Sequence, residues 1–168
     1  MDSITLITAR LALSPLAVSD ASAMTEVYAD QAMYTFTGGS PPTLDELRDR
    51  YARLVVGWNH DRTTRWSNWI VRIRASDQVV GAMQASIAAN WSSAAVAWEI
   101  GVAHQGQGYA QEAARGVVDW LIGHGVTTIE ARVHPDHDAS ARVAAACDLV
   151  PTADLDDGEV VWRREIRS

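Results

Sequence analysis

Lysine is absent from this chain: all 14 residues of its Lys+Arg total are arginine. No side-chain amine is therefore available as a base, a Schiff-base former or a target of self-modification. The bias toward arginine is read as codon usage in a GC-rich genome rather than as function. Cys147 stands alone, which excludes an internal disulfide framework and any multi-cysteine metal site. Positive charge is also scarce, with 14 basic against 21 acidic residues and a net charge of −7. Nucleic-acid binding needs a basic face, so no such partner is expected. No opening apolar segment resembles a signal peptide and no run reaches the length of a membrane span. The expected compartment is the cytoplasm, without a membrane partner. What remains is ordinary: 168 residues, 48% hydrophobic and 21% charged. That suits one domain over residues 1–168 with a full core.

The chain opens with two short strand-like runs, Ile4–Ile7 and Leu11–Leu13. Ser19-Asp20 offers capping oxygens to a helix carrying Met24, Val27 and Tyr28. After the breaker cluster Gly38-Gly39-Ser40-Pro41-Pro42, Thr43-Leu44-Asp45-Glu46 reads as a capping box. The helix behind it carries a stripe of Leu44, Leu47, Tyr51, Leu54, Val55 and Trp58. Residues 69–73 and 79–87 read as a hairpin, and a third strand near 94–101 extends it into a meander. A helix, a strand at 127–133, a short helix with Ala139, Val143 and Ala146 inward, and a hairpin turning at Asp156-Asp157-Gly158 complete the pattern. The class is α+β, mostly antiparallel, with one parallel-type crossover.

That crossover carries the chemistry. Gln105-Gly106-Gln107-Gly108-Tyr109-Ala110 follows the third meander strand and leads into a helix with Ala110, Ala113, Ala114, Val117, Val118, Leu121 and Ile122 on one face. Gly123 and Gly125 then end it. A glycine-rich turn at a helix N-terminus presents unpaired N–H groups and the positive end of the helix dipole, a site for phosphate or pyrophosphate. A nicotinamide-binding doubly wound fold is excluded, because Gln111 occupies the third-glycine position and the meander is wrong for it.

Residues Val96–Gly108, the helix behind them and His134-Pro135-Asp136-His137-Asp138-Ala139-Ser140 resemble the GNAT superfamily of N-acetyltransferases, and within it the ribosomal-protein N-acetyltransferase-like branch. Gln105-x-x-Gly108-x-Ala110 is similar to its pyrophosphate motif, and Thr8–Leu13 with Ser19-Asp20-Ala21 resembles that branch's opening. The resemblance implies a mixed, mostly antiparallel central sheet with a splayed strand pair and about four helices. It implies acetyl-CoA or another acyl-CoA as co-substrate. Gln105, Gly106, Gln107, Gly108, Tyr109 and Ala110 then hold its pyrophosphate. Ile100, Gly101 and Val102 offer an edge to the pantetheine amides, and His137 and Ser140 lie beside the arm. Departures are His137 for the usual asparagine, Val102 for a common proline, and Ala144-Ala145 where many relatives place a thiolate-protonating tyrosine.

An amine with a pKa near ~10.4 must lose a proton, and a thiolate with a pKa near ~8.5 can gain one. Ser140 is the candidate acid, against the alternative of a helix cap or cofactor contact. Glu99 is the candidate base, against that of a solvated strand-face carboxylate. No metal is expected, since His134 and His137 straddle a proline. Trp98 is expected in the core, and Trp58, Trp66, Trp69 and Trp91 in core or acceptor-pocket positions. Cys147 is expected to be a small buried residue. The expected activity is transfer of an acetyl group to a small-molecule amine or a protein N-terminus, by a monomer or homodimer. The alternative is a degenerate acyl-CoA-binding or sensing module.

Overall fold

The computed structural model describes residues 4–167. Strands β1 (Leu6–Ile7) and β2 (Leu11–Pro15) lead into helices α1 (Ala21–Val27) and α2 (Leu44–Leu54). The meander is β3 (Thr64–Ile73), β4 (Val79–Ala88) and β5 (Ser93–Ile100). Helix α3 (Tyr109–Gly123), strand β6 (Thr128–Val133), helix α4 (Asp138–Ala146) and the hairpin β7 (Val150–Asp156) and β8 (Glu159–Glu165) follow. The strands form one eight-stranded sheet in the order β1-β2-β3-β4-β5-β6-β8-β7. Among the described residues only β5 and β6 run parallel, and α3 is the crossover between them. The class expected from the sequence is the class observed.

Alternation along the strands divides the residues between two layers. On one face, Leu11, Leu13, Trp69, Val71, Met83 and Val96 pack against the buried stripe of α3. Val117 and Leu121 of that stripe are fully buried, each contributing about 1.5–3 kcal/mol by burial. On the other face, Ile70 and Ala82 meet Ala21, Met24, Tyr28, Leu47 and Tyr51 of α1 and α2. The hairpin turn at Asp157-Gly158 has both residues at positive φ, which suits the right-handed twist of the strands it joins.

Three local expectations need correction. Helix α2 stops at Leu54, with Gly57 at φ 79° just beyond, so Val55 and Val56 are 48% and 68% exposed. Trp58 leaves the helical stripe and instead bridges Arg65 at the start of β3. The inward face of α4 is centred on Val143, Ala144 and Cys147, while Ala139 in the first turn is exposed. Asp20 makes no capping bond to α1; its carboxylate accepts from the Ala17 N–H and from Arg72.

Candidate active site

The turn ahead of α3 is built by two left-handed glycines, Gly106 at φ 77° and Gly108, the N-cap, at φ 80°. Residues with a Cβ rarely adopt this conformation. Among the described residues, the N–H groups of 106–111 have no acceptor. The turn is braced from behind by Arg10. Its guanidinium donates to the Gln107 carbonyl at 2.8 Å and to Glu112 at 2.8 Å, and lies 4.6 Å over the Tyr109 ring. Burial alone would raise the Glu112 carboxyl. Hydrogen bonds from Thr8 and Arg10 outweigh it and hold the group below the usual range. Gln105 faces back, its side-chain amide donating to the Ile100 carbonyl at 2.9 Å.

Beside this turn the sheet opens. Strands β5 and β6 share only the register pairs Ser93↔Thr128, Ala94↔Ile129 and Ala95↔Glu130. Beyond them β5 continues to Ile100 paired with β4 alone, and β6 continues to Val133 paired with β8 alone. The Gly101 N–H donates to Val80 on the β4 side, so alternation turns the N–H groups of Trp98 and Ile100 toward the opening. The strand ends there. Gly101 is buried against Val27, and Val102 begins a 3-10 turn that runs to His104.

Across the opening stands the start of α4. His137 caps it, its Nδ1 accepting from the Ser140 N–H at 3.4 Å. That role requires the neutral tautomer, and burial with the neighbouring His134 lowers the His137 pKa in keeping. The Ser140 hydroxyl accepts from the Trp98 indole at 3.3 Å, linking α4 to β5 across the gap. Trp98 is thus only partly buried, half core and half site wall. Phe36, in the connection between α1 and α2, stacks on His137 at 4.3 Å and meets His134 at 5.2 Å. This contact closes the rim of the opening. Nothing in the local pattern marks Phe36, which lies in a loop without periodicity.

Glu99 lies on the opposite face of β5 from Trp98, level with Ala82 and under α1 and α2. Its side chain keeps one side open to solvent while protein crowds the others, and that crowding raises its pKa. Tyr28 and Arg50 pull in the other direction. Burial also lifts the Tyr51 hydroxyl to about 12 and Tyr28 well above its usual value, so both are neutral donors near the carboxylate. Among the described residues the Tyr51 hydroxyl, though buried, has no hydrogen-bond partner. Glu99 therefore lies on the opposite face of β5 from the Trp98–Ser140 contact. Among the described residues, no group of three or more His, Cys, Asp or Glu is placed to hold a metal.

Known structures share this fold. A ribosomal-protein-serine acetyltransferase from Vibrio cholerae superposes with a TM-score of 0.77 at 18% identity, over 98% of this chain and 99% of that one. An acetyltransferase from Agrobacterium tumefaciens gives 0.77 at 25% identity, over 98% and 96%. RimL, a ribosomal L7/L12 α-N-protein acetyltransferase in complex with coenzyme A, gives 0.80 at 14%, over 97% and 98%. No curated protein matches by sequence. The model of the acetyltransferase (GNAT) domain, however, matches residues 10–150, from the Arg10 brace past the end of α4. With the splayed sheet and its glycine turn, that match makes the chain a member of the GNAT acetyltransferase family.

Proposed function

We propose that this protein is an acyl-CoA-dependent N-acyltransferase that carries acetyl from acetyl-CoA to a primary amine by direct attack on the thioester. The observation that carries this reading is the juxtaposition of two unsatisfied backbone surfaces. The run of free amides at 106–111 suits a pyrophosphate, and the free β5 edge at Trp98 and Ile100 suits the pantetheine amides. Coenzyme A has both groups, and RimL, whose fold this chain shares, holds coenzyme A.

Gly106, Gln107, Gly108, Tyr109 and Ala110 offer the amides of the pyrophosphate cradle; Gln105, expected among them, faces back and ties the turn to the Ile100 carbonyl instead. Ile100, Gly101 and Val102 border the arm, and His137 holds the α4 terminus beside it. Glu99, with its raised pKa, accepts the proton of the attacking amine. As nitrogen bonds to the carbonyl carbon and the C–S bond breaks, the Ser140 hydroxyl gives its proton to the leaving sulfur. The Trp98 indole, which donates to Ser140, leaves that proton free to point elsewhere. It also stabilises the oxygen as it takes on charge.

The alternative is a sensor that binds acyl-CoA without turnover, favoured by Ala144 and Ala145, where many relatives carry a protonating tyrosine. Thiol release from acetyl-CoA across a panel of amines separates the two, with CoA calorimetry alongside. Turnover of any amine supports the enzyme. Binding with no turnover anywhere sinks it.

A further inference from the structure

A carboxylate on a flexible stem serves as a base only if its oxygens are held in place. The fold presses two elements against Glu99 at positions that lack a Cβ. On one side, any Cβ at Gly81 of β4 would collide with the Glu99 carbonyl. On the other, the last turn of α1 sits on the end of β5. A Cβ at Gly101 would lie 3.1 Å from Val27 Cγ1 and 3.5 Å from the Val27 carbonyl. Next after Val27 comes Tyr28, only 5% exposed. Its N–H donates to the Met24 carbonyl, and its own carbonyl accepts from the Tyr34 hydroxyl at 2.9 Å. The ring packs in one cluster with Tyr51 and Ala82, and Ala82 is directly opposite Glu99.

The polar groups about the Glu99 carboxylate come from α1, the turn after it and α2. From α1, the Tyr28 hydroxyl lies within hydrogen-bonding reach of the carboxylate. Tyr34, in the turn, feels the charge, but its hydroxyl proton is already given to the Tyr28 carbonyl. From α2, Arg50 attracts the carboxylate, and Tyr51 feels its charge without bonding to it. Asp20, which also acts on Tyr51, is tied to Arg72. Among the described residues, Tyr28 is therefore the neighbour placed to fix the carboxylate by a directed bond. Burial keeps the phenol proton in place, so Tyr28 stays a donor while the carboxylate titrates.

We infer that Tyr28 is the positioning residue of the proposed base: brought onto β5 by the close seat of α1 at Gly101, its hydroxyl donates to one Glu99 oxygen and leaves the other to take the proton of the amine. The inference rests on the N-acyltransferase reading. It adds the residue that sets the base in place. A donor on one oxygen favours the ionised carboxyl, so Tyr28 works against the burial that raises this group. Removing the hydroxyl while keeping the ring makes Glu99 harder to ionise and frees its stem to turn.

Two measurements test it. In the first, kcat/KM for acetyl transfer is followed against pH in wild type, Tyr28→Phe and Tyr51→Phe. The acid limb of Tyr28→Phe should move to higher pH, with kcat lower by about tenfold or more and KM for acetyl-CoA unchanged. Tyr51→Phe removes a hydroxyl from the same cluster that does not bond the carboxylate, and its limb should stay with wild type. A limb unmoved in Tyr28→Phe, or moved equally in both variants, overturns the assignment. In the second, the glutamate carboxyls carry ¹³C, and the Glu99 signal is identified by its loss in Glu99→Gln. Titrated in the free protein, Glu99 should ionise at higher pH in Tyr28→Phe than in wild type. Gly101→Ala, which pushes Val27 outward, should shift it the same way by less. Coincident curves for wild type and both variants overturn the bond. If no amine is acetylated at all, the enzyme reading fails and the catalytic role of Tyr28 with it, while the carboxyl titration still decides whether Tyr28 holds Glu99.

Discussion

The Trp98 indole of β5 and the Ser140 hydroxyl of α4 meet at 3.3 Å across the gap where β5 and β6 have parted. The indole can only donate, so Ser140 must accept from it and keeps its own proton for another partner. If that partner is the leaving thiolate, Ser140→Ala lowers kcat by about 10²-fold or more, the range expected of an acid catalyst. CoA affinity should change much less. Calorimetry and single-turnover rates separate the two effects, and a loss confined to binding would demote Ser140 to a cofactor contact.

Glu99 gives a pH signature. Its raised pKa means the base is disarmed in mild acid, so kcat/KM should rise with pH through a carboxyl value above the ordinary ~4.3. Glu99→Gln should erase that limb and cost about 10²-fold in rate. Stability has the matching sign. A carboxyl raised on folding costs nothing below its unfolded pKa, and its penalty grows as pH climbs through the folded one. The glutamine variant should therefore melt no lower than wild type at neutral pH and show no advantage in acid.

Gly106 and Gly108 should behave differently although both have positive φ. A Cβ at Gly106 meets nothing within 4 Å, whereas one at Gly108 lies 3.3 Å from the Arg10 guanidinium. Gly106→Ala carries only the left-handed strain, about 1 kcal/mol, and should lower Tm by roughly 2–4 °C. Gly108→Glu adds a clash with the brace and a charge facing the cradle. CoA binding should vanish while circular dichroism stays native; unchanged affinity would refute the pyrophosphate assignment.

The brace itself should loosen in acid. Glu112 is held below its usual pKa by Thr8 and Arg10, so its contribution is present above the unfolded value and is lost as pH falls through the folded one. CoA affinity in wild type should weaken in acid, at a pH below the ordinary carboxylate range. In Glu112→Gln it should already be weak at neutral pH and lose that dependence.

Cys147 is buried and its thiol is pushed up to about 11. A disulfide reagent at pH 8 should label it slowly in the native protein and at once in guanidinium. Fast native labelling would mean that the end of α4 opens readily.

What could be read in advance follows the range of the interactions involved. The α3 stripe and the glycine turn are local and periodic, and both stand where the pattern places them. The 157–158 turn is equally local. The cluster about Glu99 is not: Tyr28 and Tyr51 come from two helices and meet a strand residue far along the chain. Phe36 reaches the α4 rim from an aperiodic loop. Trp58 fits the α2 period yet lies beyond Gly57, where the chain turns off the helix.

The parting of β5 and β6 also bears on where this sheet offers an unpaired edge. An unpaired strand edge ordinarily invites a second chain. At the rims of this sheet the invitation is weak: β1 is two residues long, and β7 carries Pro151, Asp154 and Asp156. The free edge that matters for function is placed inside the sheet, walled by Ser140, Trp98 and the Phe36–His137 stack. A cleft of that kind admits a thin, amide-bearing thread and turns away another folded strand. The backbone can thus remain adhesive toward a ligand without being adhesive toward itself.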